Sequence, residues 1–110
     1  MSRSLSVPVL LFLALVAAPA GEAAEYSYMA SAGDLRGMID SGDTWRAVGY
    51  IDGVMDAMMR TRDFCIPEGT SGFDVRDRVM RMMASQPRES LAPAADVIGV
   101  FLHADFPCGN

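Results

Sequence analysis

The sequence predicts an all-α fold, a small single-domain bundle of about four helices stapled by one disulfide. Three observations predict it. Apolar residues recur at helical spacing in four segments, each followed by a Gly or Pro that punctuates the chain. No segment sustains the period-2 alternation of a half-buried strand. The two cysteines, Cys65 and Cys108, lie far apart in a chain that starts like an exported protein.

The first helix is expected from about Gly33 to Ser41. Leu35, Met38 and Ile39 stand at i, i+3 and i+4, so they share one face. Asp34 can cap it or sit in its first turn, where a negative charge complements the helix dipole, and Gly42 ends it. The second runs from about Asp43 to Arg62, with Asp43 or Thr44 as N-cap. Trp45, Val48, Ile51, Met55, Met58 and Met59 form its apolar stripe. Gly49, Gly53 and Ala57 make a second stripe at intervals of four. Each helical glycine costs about 1 kcal/mol, so close packing by another backbone is expected there. A membrane reading of that Gly-spaced stripe fails, because Asp52 and Asp56 interrupt it.

Cys65-Ile66-Pro67-Glu68-Gly69 reads as a turn. The third helix starts at Thr70 or Ser71 and reaches Ser85, with Val75, Val79, Met82 and Met83 on one face and Pro87 beyond its end. Asp74 with Arg78, and Asp77 with Arg81, are i, i+4 pairs on the other face. The fourth begins near Pro93, a good first-turn residue, and carries Val97, Ile98, Phe101 and Leu102 before Phe106-Pro107-Cys108.

Residues 1–24 read as a leader outside this fold. Arg3 is followed by the apolar run Val7 to Ala18 and then by small residues. A charged start, a short apolar run and an A-x-A-like exit make a secretory signal peptide. Cleavage is expected before Gly21 or before Ala24. The run of about 12 residues is short for a spanning helix, which needs about 20. The mature protein is therefore expected to be soluble, free of the membrane, and at work in an oxidising compartment. Its domain occupies 25–110, a length that holds one small core.

An even cysteine count in an exported chain argues for a Cys65–Cys108 disulfide. Closing a loop of about 44 residues contributes roughly 4 kcal/mol in the chain-entropy model. There is no CxxC, so a structural bridge is the better reading than a redox pair. Two Cys and one His lack zinc-type spacing, so neither a metal nor a cofactor is expected. Counted from Gly21, eight arginines stand against fourteen carboxylates, a net charge of −6 with His neutral. An acidic surface disfavours nucleic acid and anionic lipid and suits a basic protein partner.

His103, the one histidine, has Asp105 nearby but no nucleophile motif, which points to a structural or surface role. Asp52 and Asp56 lie one helical turn apart. They read as a solvated face, with Arg60 placed to pair with Asp56, as a partner-binding acidic patch, or least plausibly as a catalytic pair. The eight methionines after the leader suit core filling first and a partner-gripping surface second.

Several short strings carry more information in order than singly. Gly49-Tyr50-Ile51-Asp52-Gly53 precedes Phe64-Cys65-Ile66-Pro67-Glu68-Gly69; Gln86-Pro87 and Leu91-Ala92-Pro93-Ala94-Ala95 follow, and Ala104-Asp105-Phe106-Pro107-Cys108 closes the chain. This order, from about Leu35 to Cys108, resembles the Rap/Tai family of type VI secretion immunity proteins. The resemblance implies a small periplasmic helical protein, often a homodimer, that binds and blocks a peptidoglycan amidase effector and has no catalysis of its own. The family's cysteines at the CIP turn and the terminal FPC map onto Cys65 and Cys108. A further cysteine pair that many members carry corresponds to Met38 and about Ala47 here, so both of its partners are missing together. For the partner-binding surface, the sequence offers Asp52, Asp56, Asp63 and Glu68, which gather near the end of the second helix and the stapled turn.

Two other classes compete with the inhibitor. A small periplasmic acid-stress chaperone would share export, size, acidity and abundant Met, and would loosen as its carboxylates protonate. A small secreted enzyme would need a nucleophile, metal or Gly-rich motif that the chain does not show.

Overall fold

A computed structural model describes residues 29–109. The leader, and with it the expected cleavage sites, lies outside the described residues. Four helices follow in order: α1, Ala32–Asp40; α2, Thr44–Arg60; α3, Gly72–Ala84; and α4, Ala94–Asp105. The described residues contain no strand, only an isolated bridge between Ser31 and Pro93. The all-α bundle is thus as the sequence predicts, with helix bounds shifted by a residue or two. None of the helices is long and apolar enough to cross a membrane.

Helix α1 starts with a capping box. The Ser31 hydroxyl accepts from Asp34 N–H at 3.0 Å, and the Asp34 carboxylate accepts from Ser31 N–H at 3.0 Å. Two more of its N-terminal amides find partners in the chain before α4: Ala32 N–H donates to Ala92 C=O at 2.7 Å and Gly33 N–H to Ser90 C=O at 3.1 Å. These are the donors a helix start leaves open. In return Ala94 N–H donates to Ala30 C=O at 2.9 Å, and Arg36 donates to Gln86 C=O at 2.6 Å. The Gln86-Pro87 and Leu91 to Ala95 strings therefore form a seam that holds the start of α1.

Helices α1 and α2 close with the same device. The residue past the cap is left-handed, and two amides fold back on the last turn. After α1 that residue is Gly42, φ 82°, with Asp43 N–H donating to Met38 C=O at 3.0 Å. After α2 it is Arg62, φ 59°, with Asp63 N–H donating to Met58 C=O at 2.9 Å. Helix α3 is capped by Ser71, whose hydroxyl accepts from Asp74 N–H at 3.1 Å.

Each helix packs against the other three. Leu35, Ala47, Ile51, Met55, Val75, Val79, Met83, Ala94, Ile98 and Leu102 fill the centre, with Phe64 and Phe106 closing one end. The Cys65–Cys108 disulfide forms at that end, Cα to Cα 4.8 Å. Cys65 N–H donates to Phe106 C=O at 2.9 Å beside it. Met38 packs against the core and Ala47 lies within it.

Helix α2 departs from its expected orientation. Trp45 is 81% exposed and Met59 42%, while Ala47, Ile51 and Met55 are buried and Tyr50 and Val54 pack beside them. At 3.6 residues per turn Trp45 stands roughly 120° around from Ile51. The stripe expected from Trp45 to Met59 is one edge of a wider apolar band whose centre runs through Ala47 and Ile51. The close packing expected at Gly49, Gly53 and Ala57 is also absent. All three are exposed, and a Cβ on either glycine would meet nothing within 4 Å. Where a backbone does approach closely is Gly33, whose Cβ would meet the carbonyl oxygens of Arg88 and Ser90, the latter at 2.8 Å.

One substitution should therefore act with opposite signs at two sites. Gly49→Ala is expected to raise stability by about 1 kcal/mol, the helix-propensity gain at an open position. Gly33→Ala is expected to lower it by about 1–3 kcal/mol, because the seam must separate to admit a methyl group. Urea unfolding of both variants checks this; equal effects would refute the placement of the seam.

Candidate functional site

Of the four carboxylates offered for the partner-binding surface, two line a cleft and two do not. Asp52 and Asp56 project from the outer side of α2 into an open cleft of about 420 Å³. Asp63 and Glu68 are exposed and outside it. Asp63 instead accepts from the Thr61 hydroxyl at 2.5 Å, and its backbone carbonyl lies 3.1 Å from His103 Nδ1. His103 thus meets the chain after α2 from the end of α4, and it stands outside the cleft.

The cleft lies between α2 and the start of α3. Met55 and Met59 reach it from α2, Ile66 from the stapled turn, and Ser71, Gly72 and Phe73 from the start of α3. Two local causes shape it. The α2 face carrying Asp52, Met55, Asp56 and Met59 follows the i, i+3, i+4, i+7 rule, so these four form one strip. The turn 61–71 then brings the chain back across the end of α2, anchored by buried Phe64 and by the disulfide. Ile66 therefore packs against the core while forming part of the wall.

Phe73 is the residue that sequence reasoning missed. It is 68% exposed in the first turn of α3. A signal was present: Phe73 stands two residues before Val75 and six before Val79, roughly 120–160° around the helix from them. A large apolar residue out of phase with the core must lie on the surface.

Arg76 sets the electrostatics. Its guanidinium lies over the Phe73 ring, 5.0 Å from the centroid, and its Nη1 is 3.5 Å from Asp52 Oδ2. Its Nε is buried with no hydrogen-bond partner; Asp77 Oδ1 is 3.8 Å away. Arg76 thus steadies Phe73 by a cation–π contact and partly neutralises Asp52. Asp56 makes no ion pair or hydrogen bond among the described residues, and the expected Asp56–Arg60 pair does not form. Neither do Asp74–Arg78 and Asp77–Arg81. Arg78 lies over the Phe106 ring instead, 5.5 Å from its centroid.

An apolar wall with carboxylates at its margin has the chemistry of a recognition surface for another protein. The sequence model of the family described as Rap1a immunity proteins matches residues 23–108. Neither curated proteins nor solved structures yield a match.

Proposed function

The chain belongs to the Rap1a immunity protein family, and from that premise we propose that it is a periplasmic immunity protein that binds and inhibits a type VI secretion effector of the peptidoglycan amidase class, protecting the cell that makes it. The observation that carries this reading is the family match across nearly all of the chain after the leader.

Physical features support it. An inhibitor of this kind needs no chemistry of its own; it needs a surface that does not deform when it fills or covers an enzyme cleft. The bundle supplies one. Its helices are mutually packed, its two longest connections are pinned by the α1 seam and by the disulfide, and its carboxylates outnumber its arginines. A disulfide persists in an oxidising compartment, and the leader expected at residues 1–24 would deliver the chain to one. That compartment is where a wall-degrading amidase acts. The acidic surface would speed encounter with a basic effector by long-range attraction.

The test pairs this protein with a hydrolase encoded beside its gene. Purified protein is expected to abolish peptidoglycan cleavage at an equimolar ratio. Its co-expression is expected to rescue cells in which that hydrolase is sent to the periplasm. Unchanged hydrolysis with excess protein, together with no rescue, would sink the reading.

A further inference from the structure

We propose that the cleft between α2 and α3 is the socket for an arginine side chain of the effector, its stem on Met55, Met59, Ile66 and Phe73 and its guanidinium on Asp56. This rests on the immunity reading for the identity of the partner; the chemistry of the occupant is argued from the cleft itself.

Two carboxylates, Asp52 and Asp56, line this cleft, and one guanidinium, that of Arg76, contacts the lining residues Asp52 and Phe73. Arg76 is committed to Asp52 and to the Phe73 ring. One negative charge, that of Asp56, is left without a partner among the described residues. A purely apolar occupant would strip water from Asp56 and return nothing, which is costly. An anionic occupant would meet the like charge of Asp56. A side chain with a long apolar stem and one positive charge covers the wall and neutralises Asp56 together. Arginine has that form, and its weakly hydrated, planar head suits interface ion pairs beside an aromatic ring.

The wall itself is suited to grip. Phe73 and Met59 are exposed large apolar residues, 68% and 42%, brought to one place from two helices. Methionine adapts its shape to an occupant, and aromatic side chains are frequent anchors in interfaces. A second copy of this chain is the poorer occupant. It would bring its own net charge of −6, counted from Gly21, against the same acidic face.

Two measurements test this on the intact mature protein. In the first, methyl NMR follows Met55, Met59 and Ile66 during titration with N-acetyl-arginine amide, and separately with N-acetyl-citrulline amide, its uncharged isostere. Saturable shifts with the arginine compound alone, lost in Asp56→Asn, are expected. Equal shifts from both compounds, or none from either, would overturn the proposal.

In the second, binding of the neighbouring hydrolase is measured for the wild type, Asp56→Asn, Phe73→Ala and the control Glu89→Gln, which lies in the loop before α4 and outside the cleft. Weakening by about tenfold or more is expected for each cleft variant, the scale for an interface anchor. The control is expected to stay within about twofold, as for a surface charge away from the contact. Tight binding by the wild type with no loss in either cleft variant would overturn the socket and leave the immunity reading standing. No binding by the wild type would remove that reading, and this proposal with it. Both cleft residues are exposed, so neither substitution empties the core.

Discussion

Replacing Cys65 and Cys108 together by alanine is expected to lower the stability of the domain by about 4 kcal/mol. The bridge joins the turn after α2 to the segment after α4, residues 43 apart in sequence with Cα atoms 4.8 Å apart. Most of its effect falls on the unfolded chain, which loses the freedom of a large loop when the bridge is present. A single domain of this size is stabilised by only about 5–10 kcal/mol in all, so the variant should be close to its unfolding threshold at physiological temperature. Urea titration of the double variant, and of the wild type under reducing conditions, should give the same loss. The slope against urea should rise in both, because the unlinked chain exposes more surface on unfolding. A loss below about 1 kcal/mol would mean that Phe64, Phe106 and the Cys65–Phe106 backbone bond hold that end of the bundle without the staple.

Phe64→Ala is expected to cost about 3–5 kcal/mol, the range for truncating a fully buried aromatic. Phe64 is 1% exposed and belongs to a connection rather than to a helix. It holds the turn 61–71 against the bundle, next to Phe106, which itself stacks edge-on against Phe101 at 6.2 Å. Its removal leaves a cavity between chain segments that cannot collapse far, since the disulfide limits their movement. The variant should therefore show two effects. Global stability falls in denaturant titration. Amide exchange should also accelerate first at residues 64–71, because the connection loses its one fully buried anchor. Exchange that accelerates uniformly would show instead that the turn opens only with the whole domain.

Much of this was legible from the chain alone, and the reasons are local. Helix existence followed from apolar spacing, and helix ends followed from Ser71, Gly42, Pro87 and Pro93, residues whose backbone or capping chemistry acts within one turn. The cysteine pairing followed from an even count. Three kinds of feature were not legible. The orientation of α2 was misjudged because its apolar band is wide. Periodicity marks the band but does not say which edge the neighbours cover, and Trp45 was left outside. The expected helical ion pairs did not form because such pairs are worth only a few tenths of a kcal/mol, so a contact such as Arg78 over Phe106 readily replaces them. The glycine needed for close approach proved to be Gly33, where the chain before α4 crosses, while Gly49 and Gly53 face open space.

The candidate site divides in the same way. Asp52 and Asp56 could be placed on one strip from their spacing. Phe73 could be marked as out of phase with its helix. That the two meet across a cleft, with Ile66 between them and Arg76 behind, depends on the path of the turn 61–71. The same path sends Asp63 toward His103 and leaves Glu68 outside.

The sequence by itself determined the helical class, the punctuation of the four helices, the covalent staple and, through ordered short strings, the family. Each is set by interactions within a few residues, or by chemistry that requires only the right residue types. Tertiary packing alone decided which face of α2 is buried, which glycine a backbone crosses, and which carboxylates share a cleft. Those outcomes depend on how four amphipathic surfaces share one small core, where burial of apolar area outweighs any single surface pairing.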